Sequence, residues 1–593
     1  STMDKVYETV IPWVFVFLVF ISLETANSRP PEDPIRCASG DSDCTITNTY
    51  GMFPDRTTCH ASKAAYPSTL SELIYTVADG TKSHMKMKVG TAHYHSIPKL
   101  ACPGGKDGLV ISTKNLNRIL QFDLAARTVT LESGVLLRTL IDEVAKVGMA
   151  LPYAPYWSGL TVGGMLSTGA HGSSLWGKGS AVHDYVVSMT IVSPGTREEG
   201  YVKVREINKE DPDLAAAKVS LGLLGVIYKV TIALEPMFKR SITYKEESDV
   251  SLGDKVAEFG KQHEFADIMW NPSQQKAAYR IDDRVPVTTP GNGLYNFIGF
   301  RSTNAVALAA NRIAEEGQEV LKDANGKCGL GKLVTAALRA SAYGLTNDDH
   351  LFVGYPVVGF QNRMQSSGTC LDSKNDSTHS GCPWDPRLRG EYFLQSAFSI
   401  GLSKVKSFIK DVQSLVKLEP SALCGLDLYN GIWMRYVTNS SAMLGKEEDG
   451  VDFDITYYRS KDPMEPRLHE DVLEEIEQMA IFKYNALPHW GKNRPVAFEG
   501  VAGKYKRYEE FLRVKNLYDP GSYFSNEWTE QVLGLKEGLT VDTDGCALEG
   551  LCRCSQDRHC APKKNYFCRP GKVYKDARVC TLVPMEVNIK VEL

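Results

Sequence analysis

Residues 158–179, Ser-Gly-Leu-Thr-Val-Gly-Gly-Met-Leu-Ser-Thr-Gly-Ala-His-Gly-Ser-Ser-Leu-Trp-Gly-Lys-Gly, constrain the fold of this chain more than any other stretch. Seven of them are glycine, so the main chain can take positive φ and bring N–H groups close to a ligand. Ser167, Thr168, Ser173 and Ser174 add short hydroxyl donors, and such a set suits a diphosphate. A surface loop rich in glycine is the plain alternative. The interleaved Leu160, Val162, Met165 and Leu166 argue against it, because they place the segment in a core where backbone polar groups need partners. Residues 184–194 that follow read as a β-strand.

At 593 residues the chain exceeds one ordinary core, and 43% hydrophobic with 23% charged residues marks it as globular. A formal charge of −4 offers no basic field, so nucleic acid is not an expected partner. Lys5 precedes an apolar run at 10–23, shorter than the roughly 20 residues of a membrane-spanning helix. The run fits a signal peptide cut after Ser28, leaving no stable membrane insertion; an uncleaved anchor is the alternative. Fourteen cysteines clustered toward the ends agree with export and disulfides. Proximity suggests Cys37–Cys44, Cys59–Cys102 and Cys370–Cys382. Asn375 and Asn439 head Asn-x-Ser sequons, usable only on the secretory route. The expected location is extracellular, by a cell-wall or vacuolar route.

Hydrophobic periodicity divides the rest. Leu70, Leu73, Ile74 and Val77 share a helical face behind a Ser68 or Thr69 cap, and Leu137, Leu140, Ile141, Val144 and Val147 repeat likewise. Strand-like runs lie at 87–90, 108–113, 128–132 and 220–232. Beyond residue 238, helical patterns at 305–321, 402–416 and 468–482 alternate with strands such as 425–435 and 452–458. The expectation is an α+β protein: signal peptide 1–28, a stapled loop 29–54, a diphosphate-binding domain 55–238, a substrate domain on an antiparallel sheet 239–535, and a cysteine-rich segment 536–593. Residues 365–386 read as an exposed, glycosylated loop, and the six cysteines of 544–580 as a disulfide knot, with zinc as the rival. Gly326-Lys-Cys-Gly-Leu-Gly-Lys-Leu333 has P-loop spacing, but Leu333 replaces the hydroxyl that holds magnesium.

The run Gly-Gly-Met-Leu-Ser-Thr-Gly-Ala-His-Gly-Ser-Ser at 163–174 resembles the pyrophosphate loop of the vanillyl-alcohol-oxidase flavoproteins, in particular their plant L-gulonolactone oxidase branch. The likeness extends over 30–580, cysteine-rich tail included, and implies a PCMH-type FAD domain with an aldonolactone-oxidase cap. It assigns FAD contacts to Gly163, Gly164, Ser167, Thr168, Gly169, His171, Gly172, Ser173 and Ser174, to Gly225, Val226 and Ile227 of the closing strand, and to Thr91, His93, His95 and Ser96. His95-Ser96 matches the signature of a histidine joined covalently to flavin; His93 is the alternative, and a merely hydrogen-bonded histidine the third.

Pro488-His-Trp-Gly-Lys492 is similar to the His-Trp-(Gly/Ala)-Lys motif of aldonolactone and alditol oxidases. Lys492 can hydrogen-bond a carbinol hydroxyl and offset negative charge, and His489 can accept or relay its proton. Arg435 is retained from the family's Glu-X-Arg, whereas Trp433 stands where the glutamate is expected. The resemblance implies a secreted FAD oxidase of L-gulono-1,4-lactone or a related sugar lactone, with O2 reduced to H2O2 and an ascorbate-type product. No metal is expected. Two rivals remain: a same-fold oxidase or dehydrogenase of another alcohol or specialised metabolite, and a non-catalytic secreted binding protein.

Overall fold

The computed structural model describes residues 33–46, 58–91, 97–104, 107–301, 305–365, 367–372 and 393–584. The signal-peptide run, His93, His95, Ser96, Asn375 and Cys382 therefore lie outside the described residues.

Two sheets build the N-terminal part. The first orders β1 (Ile35–Ser39), β2 (Ser42–Ile46), β3 (Cys59–Ala65), β4 (Met87–Gly90) and β5 (Leu109–Ser112) as β1-β2-β3-β5-β4, with both contacts of β5 parallel. Helix α1 (Leu70–Lys82) supplies the crossover; the Thr69 hydroxyl caps it by accepting the Glu72 N–H at 3.2 Å. The second sheet is antiparallel, β6 (Ile119–Asp123), β7 (Thr128–Glu132), β8 (Val186–Pro194), β9 (Val202–Asn208) and β10 (Val226–Ala233), ordered β9-β8-β10-β7-β6. Helix α2 (Leu137–Lys146) buries Leu137, Leu140 and Val144 in its core. Phe511, Val514, Trp528 and Val532 join the same core, so helices that the sequence gives to the substrate domain pack back onto the first one.

An eight-stranded antiparallel sheet forms the second half: β11 (Lys239–Ser248), β12 (Asp267–Asn271), β13 (Lys276–Val285), β14 (Val357–Phe360), β15 (Phe393–Gly401), β16 (Ile432–Val437), β17 (Gly450–Tyr458) and β18 (Leu487–Pro488), in the order β14-β11-β13-β12-β16-β17-β15-β18. Strand alternation sorts its two faces. Ile268, Trp270, Met434, Tyr436, Phe453 and Phe398 bury one face beneath α3 (Leu252–Gln262) and α4 (Leu402–Leu418). Their neighbours Asp267, Arg435, Asp452 and Asp454 occupy the other face, toward the glycine-rich segment.

Several boundaries differ from the sequence reading. The strand expected over 220–232 starts only at Val226, because Gly222 and Gly225 hold φ of +68° and +122°. A Cβ on Gly225 would come within 2.4 Å of the Val192 carbonyl oxygen. Residues 424–429 form a 3-10 turn instead of the start of a strand, and left-handed Asn430 and Gly431 redirect the chain into β16. The expected helix 468–482 is α-helical only over Glu470–Gln478 and continues as a π-turn. The P-loop look-alike lies inside a long helix, Ala324–Ala340, where Cys328 is bonded to Cys424.

Cys37–Cys44 and Cys59–Cys102 are paired as expected, and Cys370 is disulfide-bonded. The tail pairs Cys546–Cys552, Cys554–Cys568 and Cys560–Cys580, so its thiols are consumed and the zinc alternative falls. The tail is docked, because the buried Glu475 carboxylate accepts N–H groups from Lys572, Val573 and Tyr574 at 2.6, 2.7 and 2.6 Å. Cys328–Cys424 spans 96 residues and bolts the Ala324–Ala340 helix to the turn ahead of Arg435. Replacing both cysteines by alanine is expected to cost about 2–4 kcal/mol. Thermal unfolding should show a lowered midpoint; an unchanged midpoint would contradict this.

Candidate active site

On β17, Asp452, Asp454 and Thr456 alternate with Phe453 and Ile455, which places the three polar side chains on one face. Arg435 of β16 stands opposite Asp452, and Trp433 opposite Asp454. The Arg435 guanidinium reaches Asp452 at 3.2 Å and Asp454 at 3.0 Å. It is buried between them and is not a solvated charge at a strand end. Lys492 Nζ lies 2.5 Å from Asp454 Oδ2, and Gln395 donates to Asp454 Oδ1 at 3.0 Å. On the far side of Asp452 stand His171 Nε2 at 3.5 Å and Lys446 Nζ at 3.7 Å. Burial alone would raise the Asp452 carboxyl, but His171, Lys446 and Arg435 outweigh it and hold it well below the usual carboxylate range.

The His-Trp-Gly-Lys motif is set by its tryptophan. Trp490 is buried, stacks on Tyr505 and Phe498 and donates its indole N–H to the Leu444 carbonyl at 2.9 Å. Asn493 clips the motif to β15 through both the N–H and the C=O of Ala397. His489 Nδ1 accepts the Gly491 N–H at 3.0 Å, so its proton sits on Nε2. Burial, with Lys492 and Lys446 adding to it, pushes the imidazole well below its ordinary value. In this tautomer His489 offers a hydrogen-bond donor at Nε2.

Trp433 donates its indole N–H to Asp267 at 3.1 Å. The Tyr156 hydroxyl donates to the same carboxylate at 2.5 Å and accepts from Arg280 at 2.7 Å. Arg280 and Asp267 are themselves 3.0 Å apart. The ring lost as a carboxylate site is therefore held rigidly by a buried ion pair.

A cavity of about 930 Å³ joins these groups to the N-terminal domain. Arg435, His489 and Lys492 line it together with Thr91, Gly163, Gly164, Ser167, Thr168, His171, Gly225 and Ile227. Residues 162–167 form one short helix instead of an open loop, capped by Thr161 and pressed on Ser133, where a Cβ on Gly163 would sit 3.0 Å from the Ser133 Cβ. Gly169, Gly172, Ser173, Ser174 and Val226 do not line the cavity. Ser173 donates to the Ala266 carbonyl and accepts the Tyr436 N–H, while the Ser174 N–H donates to the Tyr436 carbonyl at 3.0 Å, so both stitch the glycine segment to β16. Gly172 lets the Ala154 carbonyl approach to where a Cβ would be 2.6 Å away, Gly169 faces Val219 and His183, and Val226 is buried among Leu73 and Val192.

Sequence reasoning missed Asp452, Asp454, Lys446 and Gln395. The alternation Asp-Phe-Asp-Ile-Thr was a legible signal for the first two, since a polar row on a buried strand needs partners. It also missed the opposite wall, where Thr113 Oγ1 and Ser133 Oγ are buried without hydrogen-bond partners among the described residues. Between them and Leu221 lies Lys88, fully buried, its ammonium donating to the Leu221 carbonyl at 2.8 Å and making no ion pair among the described residues.

Residues 61–197 match the family model described as FAD binding domain, 389–532 that of D-arabinono-1,4-lactone oxidase, and 543–582 that of L-gulonolactone oxidase 2-like, C-terminal domain. The chain is 60% identical over 566 residues to "Probable L-gulonolactone oxidase 6" of Arabidopsis thaliana, covering 95% of this chain and 93% of that protein. With "L-gulonolactone oxidase 2" of the same plant it shares 57% over 590 residues, 99% of each. The chain belongs to the plant L-gulonolactone oxidase family. FAD is the cofactor of this family member, an oxidoreductase acting on a CH–OH donor with O2. A solved structure titled "Solvent-stable cholesterol oxidase" has the same fold, with a TM-score of 0.64 at 16% identity over 86% of this chain and all of that one.

The wall fits the cofactor. The hydroxyls of Thr113 and Ser133, without partners among the described residues, and the Lys88 ammonium are donors that suit a diphosphate. Burial lowers the Lys88 amine to about 7, and a phosphate beside it would raise it again. FAD binding should then take up a proton above pH 7, so affinity falls as pH rises. Cofactor-free parent protein is expected to weaken toward FAD by up to about tenfold per pH unit above 7, and Lys88→Met to bind weakly with no such slope. Fluorescence titration with FAD reads both; a flat parent profile would refute the assignment.

Proposed function

We propose that this chain is an exported FAD-dependent oxidase of L-gulono-1,4-lactone or a closely related sugar lactone, forming a 2-keto product that tautomerises to ascorbate. The observation that carries the reading is the Arg435–Asp454–Lys492 cluster on the cavity wall, with the His489 donor beside it. When bound, FAD supplies the acceptor for the hydrogen and electron pair of the carbinol carbon, and O2 takes that pair to give H2O2.

The protein's own groups do the rest. Asp454 accepts from substrate hydroxyls, a role suited to a carboxylate lying directly across from Trp433. Lys492 donates to the carbinol oxygen and, with Arg435, stabilises the negative charge that grows there as the O–H proton passes to solvent. His489, neutral and protonated at Nε2, donates to the ring or keto oxygen. Six disulfides paired within the described residues and an exposed Asn439 support the export route and glycosylation at that sequon; Asn375 is proposed on its sequon alone.

Anaerobic mixing with L-gulono-1,4-lactone is expected to bleach the flavin absorption, and air to restore it with one H2O2 per turnover. Lys492→Met and Asp454→Asn should each slow bleaching by about 10²–10³-fold while keeping the flavin band. Unchanged bleaching in both variants, or no bleaching of the parent protein by any carbinol, would overturn the reading.

A further inference from the structure

We propose that the preferred substrate carries an apolar group, alkyl or aryl, in addition to its oxidised carbinol; this deepens the carbinol-oxidase reading above and rests on it. The polar handles of the cavity's substrate side gather at one place, Arg435, Asp454, Gln395, His489 and Lys492. Beyond Trp433 the lining turns mainly apolar, although Thr456, Asn430, Asn311 and Tyr429, whose hydroxyl donates to Glu315, also belong to it. The Trp433 ring meets Phe297 at 5.4 Å, Phe297 meets Phe300 at 5.4 Å, and Phe300 meets Trp157 at 5.3 Å, a continuous aromatic wall.

The Ala324–Ala340 helix supplies further lining. Leu330, Leu333, Val334, Ala337 and Leu338 recur at helical spacing, so one stripe faces the cavity. In the core such a stripe would be covered, yet Leu333 is 68% exposed. The preceding helix, Ala305–Leu321, adds Leu308, and Asn311 is the single polar lining residue of the two helices among the described residues.

A free aldonolactone has oxygen on every carbon. Seated at Arg435 and Lys492 it leaves the aromatic wall and the leucine stripe uncovered, and shifted onto them it leaves hydroxyls without partners. A carbinol joined to an apolar chain or ring satisfies both ends. The apolar lobe is continuous with the carbinol-binding groups, in one cavity.

The test compares L-gulono-1,4-lactone with its 6-O-octanoyl ester in anaerobic flavin reduction by the secreted holoenzyme. The ester is expected to have an apparent Kd at least tenfold lower, the limit being about fourfold per buried methylene. Leu333→Asp and Val334→Asp, with the flavin spectrum as folding check, should each raise the ester's Kd at least tenfold. Two substitutions at separate positions guard against one that fails to fold. A lactone that reduces flavin as well as or better than the ester, or an ester Kd untouched by both substitutions, overturns this inference and leaves the carbinol-oxidase reading standing. Flavin reduced by neither compound overturns both.

Discussion

Asp452 is the side chain on which the two halves of the molecule meet. It is fully buried on β17, and its oxygens face His171 from the glycine segment, Arg435 from the adjacent strand and Lys446 from the connecting turn. A carboxylate in such a place is tolerable only with partners, and removing one of a buried set costs about 3–5 kcal/mol because the remaining charges are stranded. The same contact fixes the distance between the cofactor wall and the substrate sheet. Ser173 and Ser174, bonded to the backbone of β16, hold the seam along its length.

From that anchor the electrostatics spread along one face of the sheet. Every second residue of β12, β13, β16 and β17 points the same way, so Asp267, Arg280, Arg435, Asp452 and Asp454 form a row of alternating sign. One end of the row, Arg280 with Asp267, is covered by Tyr156 and Trp433 and orients them. The other end opens into the cavity at Asp454 and Lys492. Structure and chemistry thus use one ladder, rigid where it is closed and reactive where it is open.

Periodic and local features were legible in the sequence. The helices at 70–82 and 137–146, the strands at 87–90 and 128–132 and two of the proximity disulfides follow from apolar spacing, capping and chain separation. Features that depend on a distant partner were not. Gly172, Ser173 and Ser174 look like phosphate donors in isolation, yet their groups are claimed by Ser180, Ala266 and Tyr436, which no local pattern announces. Lys88 interrupts an otherwise apolar strand, and only the fold shows that its amine ends at the cofactor wall. The tetrapeptide at 489–492 announced Lys492, but Asp454, its partner, emerges from the register of β16 with β17.

The histidine of that tetrapeptide shows why placement decides a role. Its Nδ1 is occupied by the Gly491 N–H, a bond internal to the tight turn, and Lys492 and Lys446 add positive potential around a buried ring. Both effects disfavour a second proton on the imidazole and leave its Nε2–H as a donor. Across this cluster three basic side chains, Arg435, Lys446 and Lys492, face two carboxylates, Asp452 and Asp454. The excess is positive and held on buried and half-buried side chains, where fixed charge acts strongly. Such a field favours departure of the hydroxyl proton and growth of negative charge on oxygen, which is the electronic demand of turning a carbinol into a ketone.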